Sequence, residues 1–242
     1  MDLALTLITL AFAFTGEAVF GFGAGLIALP ILSQIYPIKV AVTLLLSFQF
    51  VVAVLILKSY QHIAWDVIKR LALPTIVFVS IGAFSLTYFS DAVLRMILLV
   101  FIVLYLLKEI FFSDLKLGSR DSKGFALFGG LFGGWFQGVL GTGGPGYLIY
   151  LNELGLSKAQ FRVTILLLFF ICNFIRTIIF YSEGLFTPEV LKLTAYSVPV
   201  VGLSLYTGYR IHHGVSEFLY RKVIYGVLTL SAVSIGVKLL AN

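Results

Sequence analysis

A small set of polar residues lies inside otherwise apolar sequence, and their types suit the binding of a small anion. Arg176 stands in the run Ala159–Tyr181, three residues after Asn173, so both share one helix face. A guanidinium forks onto carboxylate or sulfonate oxygens. The competing reading is snorkelling, because Tyr181 is five residues away, about 7–8 Å of helix rise. Gln49, with Thr43 and Ser47 nearby, is a weaker candidate, since polar residues in such runs often just bond neighbouring helices.

Two glycine clusters are the other feature. Gly21-Phe22-Gly23-Ala24-Gly25 interrupts Leu3–Tyr36, and Gly141-Thr142-Gly143-Gly144-Pro145-Gly146 interrupts Phe125–Leu154. Glycine lets a helix unwind, and the half-helix that follows aims its N–H groups, with roughly half a positive charge, into the gap. That arrangement holds anions without a buried lysine. Glu17 and Gln137 each stand four residues before the first glycine of a cluster. An acid deep in apolar sequence costs about 2.5 kcal/mol or more on insertion scales, so it must face a cavity or a partner. Glu17 therefore contacts a ligand or carries a coupling proton, or else only caps unwound backbone. The candidate binding set is Glu17, Gly21, Gly23, Gln49, Gln137, Gly141, Thr142, Gly143, Gly144, Asn173 and Arg176.

The elements that must position these residues are membrane helices. Of 242 residues, 60% are hydrophobic and only 12% charged, with a mean hydropathy of +1.06. Soluble domains carry about 25% charged residues. A soluble enzyme, a disordered chain and a nucleic-acid reader are thereby excluded. The net charge of +6 reads as basic cytoplasmic loops, not as an anionic macromolecular partner. The remaining apolar runs are Ile38–Tyr60, Val67–Phe89, Ala92–Phe112, Val190–Ile211 and Phe218–Leu240. They are continuous and near the ~20 residues that cross a bilayer as helix, not the alternating ~10-residue strands of a barrel. The first apolar run lacks a basic start and a cleavage site, so it is expected to be retained as a membrane segment.

The chain divides into a first membrane repeat, 1–112, a polar linker, 113–123, expected in the cytoplasm, and a second repeat, 124–242. Glu17-Ala18-Val19-Phe20-Gly21 aligns with Gln137-Gly138-Val139-Leu140-Gly141, and Asp66-Val67-Ile68-Lys69 with Glu189-Val190-Leu191-Lys192. Ser90-Asp91 and Arg95 match Ser216-Glu217 and Arg221, and Pro74 matches Pro199, with offsets drifting from 120 to 126. Arg176 and Asn173 have no such counterparts: the first half carries Leu55 and Val52 there. Each half is thus a glycine-broken segment followed by three transmembrane helices, an all-α polytopic architecture. Repeated halves with matching breaks are the mark of a secondary transporter whose site lies where the breaks meet. If each broken segment crosses fully, Lys and Arg divide seven against nine across the loops. If each enters and returns as a hairpin, Lys39, Arg95, Lys192 and Lys238 fall on the side of both termini and twelve fall opposite. The second division obeys the positive-inside rule and is preferred.

Other chemistries find no support. Gly141–Gly146 spells G-x-G-x-x-G, but the strand–turn–helix context of a dinucleotide site is missing. Cys172 is alone, and His62, His212 and His213 lie at segment ends, so neither a disulfide nor a metal site is expected. No nucleophile elbow, H-E-x-x-H or carboxylate pair is present, and no enzyme and no cofactor are expected. Gly82, Gly202 and Gly226 read as helix-packing positions. Tyr60, Trp65, Tyr88, Tyr181 and Tyr209, at segment ends, read as an aromatic belt.

The sequence resembles the sulfite exporter TauE/SafE family, also called the TSUP transporters, over nearly its whole length. The resemblance rests on Gly21-Phe22-Gly23-Ala24-Gly25-Leu26-Ile27-Ala28-Leu29-Pro30, on Gln137–Gly146, on Phe161-Arg162, on Asn173–Arg176, on Gly184 and on Tyr60-Gln61-His62-Ile63-Ala64-Trp65. It implies a multi-pass carrier of a prokaryotic inner membrane that moves a small anion, such as sulfite or an organosulfonate. The expected partners are that anion, the lipid bilayer and protons or another coupling ion. An anion channel and a carrier of small carboxylates are the alternatives. Where the family's first half often has Gln, this chain has Glu17, which points to a proton or a different substrate; Tyr150 stands where the first half has Pro30.

Overall fold

The computed structural model describes residues 2–20, 23–54, 62–111, 123–143, 146–147, 150–151, 154–211 and 217–241. Residues 113–122 of the linker, with Gly21, Gly144, Tyr60, His212 and His213, lie outside the described residues. The described chain is helical: α1 (Asp2–Phe20), α2 (Ala24–Leu32), α3 (Ile38–Val54), α4 (Trp65–Tyr88), α5 (Asp91–Phe111), α6 (Lys123–Leu140), α7 (Lys158–Ser182), α8 (Pro188–Ile211) and α9 (Glu217–Ala241). Five of these are long and apolar enough to cross a membrane, and shorter apolar helices accompany them. Large apolar side chains such as Leu73 and Leu230 are more than 70% exposed, as lipid-facing residues are. The protein is an all-α polytopic membrane protein. Helix is the form that satisfies every backbone amide within its own segment, which lipid demands.

The helices gather into two compact units that do not follow the two sequence halves. One comprises Met1–Leu45, Phe89–Asp114 and Phe186–Asn242. The other comprises Leu46–Tyr88 and Leu115–Leu185.

In the first unit the chain doubles back after α1. The Ala24 N–H donates to Glu17 Oε2 at 3.0 Å, and Thr6 Oγ1 lies 3.1 Å from Tyr36 Oη, so α2 returns alongside α1. Gly23, at φ 111°, makes the turn that L side chains rarely adopt. Helix α8 packs on α1, and α9 packs on α2 and α5. At one end Asp91 Oδ1 accepts the Ile38 N–H at 2.7 Å and so caps α3. Arg95 bonds Asp91 at 2.6 Å and also donates to the Ser33 carbonyl, while Lys238 Nζ donates to the Gln34 carbonyl at 3.2 Å. Arg95 and Lys238, two of the four cations that the hairpin reading assigns to the side of the termini, meet the same short loop.

In the second unit α6 ends at Leu140, Gly141 turns at φ 69°, and the chain again runs back. A Cβ on Gly143 would fall 2.5 Å from Gln137 Cβ, one on Gly146 2.6 Å from Gly133 Cα, and one on Gly129 3.0 Å from Tyr150 Cβ. The returning strand of chain therefore lies against the α6 glycines in antiparallel order. Helix α4 packs on α6, and α7 packs on both. Ser157 and Gln160 close a capping box at the start of α7.

The helix seams repeat with the offsets of the sequence matches. A Cβ on Gly82 would meet the Trp135 carbonyl at 2.4 Å and Gly138 Cα at 3.0 Å. A Cβ on Gly208, 126 residues later, would meet the Thr15 carbonyl at 2.6 Å and Ala18 Cβ at 2.7 Å, and Thr15 and Ala18 precede Trp135 and Gly138 by 120. Gly82 thus packs as expected. Gly202 and Gly226 do not: nothing lies within 4 Å of a Cβ on either. The α6 seam residues Gly130, Gly134 and Gly138, spaced four apart, are the packing stripe instead.

Gly138→Leu is expected to destabilise the solubilised protein by about 1–3 kcal/mol or more, as overpacking does. Gly202→Ala, in open space on a helix, should hold or raise the melting temperature by removing a glycine penalty of about 0.5–1 kcal/mol. Thermal unfolding of both variants in one detergent checks the contrast.

Candidate functional site

The second unit places Arg176 at the centre of a polar network. The side chain is fully buried, so it does not snorkel toward Tyr181. Its Nη1 donates to Gln49 Oε1 at 3.3 Å and to Asn173 Oδ1 at 3.2 Å. A guanidinium has only donors, so it fixes both amides with their oxygens inward. Gln49 Nε2 then donates to the Gly141 carbonyl at 3.5 Å. Gln137 Oε1 accepts the Gly143 N–H at 2.7 Å, which turns its Nε2 toward Asn173 Oδ1 at 3.4 Å. Every amide orientation follows from Arg176 at one end and from the Gly143 N–H at the other.

Arg176 Cζ lies over the Phe180 ring, 5.1 Å from its centroid. Gly141 crowds the Nη end of the group: a Cβ there would be 3.0 Å from both Nη1 and Nη2 and 3.3 Å from Cζ. Nε and Nη2 remain buried with no hydrogen-bond partner among the described residues, and so does the Thr142 hydroxyl. No carboxylate among the described residues pairs with Arg176; the ion pairs found are Arg95–Asp91 and Lys108–Glu109. A buried guanidinium without a counter-ion is costly, and an arriving oxyanion would supply both the charge and the two acceptors.

The family comparison covers the same ground. The family described as sulfite exporter TauE/SafE matches residues 6–235, nearly all of the chain. The chain belongs to the sulfite exporter TauE/SafE family. Within it, the chain is similar to a probable sulfite/organosulfonate exporter TauE of Cupriavidus necator, 27% identical over 222 residues, which cover 88% of this chain and 85% of that protein. No solved structure gives a significant match. TauE/SafE membership places the chain among membrane transporters, not enzymes.

The network gathers many of the residues singled out from this TauE/SafE sequence. Gln49, Gln137, Gly141, Thr142, Gly143, Asn173 and Arg176 all belong to the second unit, and the first six are buried side chains or turn glycines around Arg176 or its amides. Gln49 is in direct contact with Arg176, more than its weak sequence signal suggests. Glu17 and Gly23 belong to the first unit, where Glu17 caps the Ala24 amide and Gly23 begins α2. Gly21 and Gly144 lie outside the described residues. His62 is exposed, as a loop residue should be. Sequence reading missed Tyr147, whose hydroxyl lies 3.5 Å from Cys172 Sγ and whose ring fills the gap left by Gly133. The available signal was Gly133 itself, a glycine with no turn to make.

Glu17 and Gln137 make the same bond to the hairpin that follows each. Glu17→Gln keeps the acceptor for the Ala24 amide and should leave the melting temperature close to that of the parent. Gln137→Leu orphans the Gly143 N–H, a loss of about 1–3 kcal/mol, while Asn173 Oδ1 keeps Arg176. Thermal unfolding of the two variants side by side checks this difference.

Proposed function

We propose that this protein is a secondary carrier of a small anion, sulfur-containing by analogy with its relative, in the inner membrane of a prokaryote. The observation that carries the reading is Arg176: fully buried, without a counter-ion, with Nε and Nη2 unpaired. The named relative, a probable sulfite/organosulfonate exporter, supports sulfite or a sulfonate as the cargo. In this reading Arg176 forks onto two oxygens of the anion. Asn173 and Gln49 hold the guanidinium in place, and Thr142 adds a hydroxyl. Gln137 keeps the Gly141–Gly143 turn open against α6.

We also read the two halves as a duplication that places both termini outside the membrane and the polar linker inside. The recurrence of the Gly82 and Gly208 seams at matched offsets supports this, and so does the shared end of Arg95 and Lys238. Glu17, the carboxylate at the position matching Gln137, tunes the charge of the interior or carries a coupling proton. The driving energy is then an ion or substrate gradient.

Thermal stabilisation of the purified protein tests the site. An anion at 100 times its Kd adds about 2.7 kcal/mol to stability. Methanesulfonate or sulfite should raise the melting temperature, and Arg176→Ala should abolish that rise while the variant remains folded. A rise that survives Arg176→Ala places the ligand elsewhere. In proteoliposomes, unlabelled anion on the far side should accelerate uptake of labelled anion; flux that ignores the far side marks a channel instead.

A further inference from the structure

Resting on the reading of Arg176 as the anion site, we propose that the site selects oxyanions bearing a single negative charge, bound through the Nε/Nη2 edge, and discriminates against doubly charged forms. Arg176 is the one buried cation among the described residues. The side chains that bond it, Gln49 and Asn173, are neutral, and so are the buried Gln137, which bonds Asn173, and Thr142, which follows Gly141 in the chain. Each glutamine nitrogen spends one of its two N–H groups inside the protein, Gln49 on the Gly141 carbonyl and Gln137 on Asn173 Oδ1. Nη1 spends both of its own, on Gln49 and Asn173.

What remains for a ligand is the charged pair Nε and Nη2, with the Thr142 hydroxyl and the spare amide N–H groups as neutral donors. Gly141 closes the end between Nη1 and Nη2, so an anion that is to bond two guanidinium nitrogens must use the Nε/Nη2 edge. There it meets one positive charge. A monoanion cancels that charge and leaves the interior neutral. A dianion would bury a second charge against neutral donors alone, and an uncompensated buried charge is the costliest group to take out of water. A sulfonate or hydrogensulfite fits; sulfate and fully deprotonated sulfite do not.

The protein's own titration does not obscure the test. On the elements packed against α7, Asp66, Lys69 and Arg70 of α4 are exposed, and Lys123 stands at the start of α6. Among the described residues, the buried titratable groups of this unit besides Arg176 are Cys172 and Tyr147, which bond each other, and Tyr150.

The experiment is calorimetric titration of the full chain in detergent, with sulfite, methanesulfonate and sulfate, at pH values spanning the second ionisation of sulfite. Methanesulfonate stays a monoanion throughout, and its Kd should be flat. The sulfite Kd should rise about tenfold per pH unit once the monoanion is the minor species, because apparent affinity scales with the competent fraction. Sulfate should bind at least about tenfold more weakly than methanesulfonate, a difference of about 1.4 kcal/mol. A flat sulfite profile, or sulfate matching methanesulfonate, overturns the single-charge rule while leaving the anion site standing. Failure of every anion to bind at every pH overturns the site and the rule together.

Discussion

A helix that stops inside apolar surroundings must find partners for the amides it frees, and that requirement organises this protein. Water is not there to accept them. Glu17 answers for Ala24 and Gln137 for Gly143. Each bond ties the first residues after a glycine stretch to the helix before it. Glycines then allow the two arms to lie close, as at Gly133 and Gly146.

The same bond reaches the candidate site. Because Gln137 Oε1 is occupied by the Gly143 amide, its nitrogen must donate, and Asn173 Oδ1 receives it. That oxygen also receives Arg176 Nη1. The cap, the turn and the guanidinium are one connected network, rigid at Nη1 and open at Nε and Nη2. A binding site needs this division, with one edge held by the protein and the other left for the ligand. In the sequence match between the halves, Leu55 and Val52 stand where Arg176 and Asn173 do, so the first half has no counterpart to this pair.

Much of this was legible in the residues. Apolar runs near twenty residues gave the helices, because lipid leaves so few alternatives. The breaks at glycine, and the caps four residues before each, followed from the need to unwind and to satisfy what unwinds. Other features depended on contacts that a sequence does not carry. Gln49 meets Arg176 across 127 positions, and a lone glutamine in an apolar helix has many reasons to exist. Gly202 and Gly226 look like packing glycines but face open space, since local spacing does not say which face a neighbour covers. The grouping of helices into units that mix the two halves was likewise not legible, because it follows from which seams are flat enough to close, such as that of Gly82 on Gly138.

The central claim is that an anion sits on the free edge of Arg176. Diffraction from crystals grown with selenite, a heavier analogue of sulfite, tests it most directly, because selenium is located by its anomalous signal. The account predicts a selenium peak whose oxygens lie within hydrogen-bond distance of Arg176 Nε and Nη2. A peak bound elsewhere in the protein, or none beside Arg176 at saturating selenite, contradicts it.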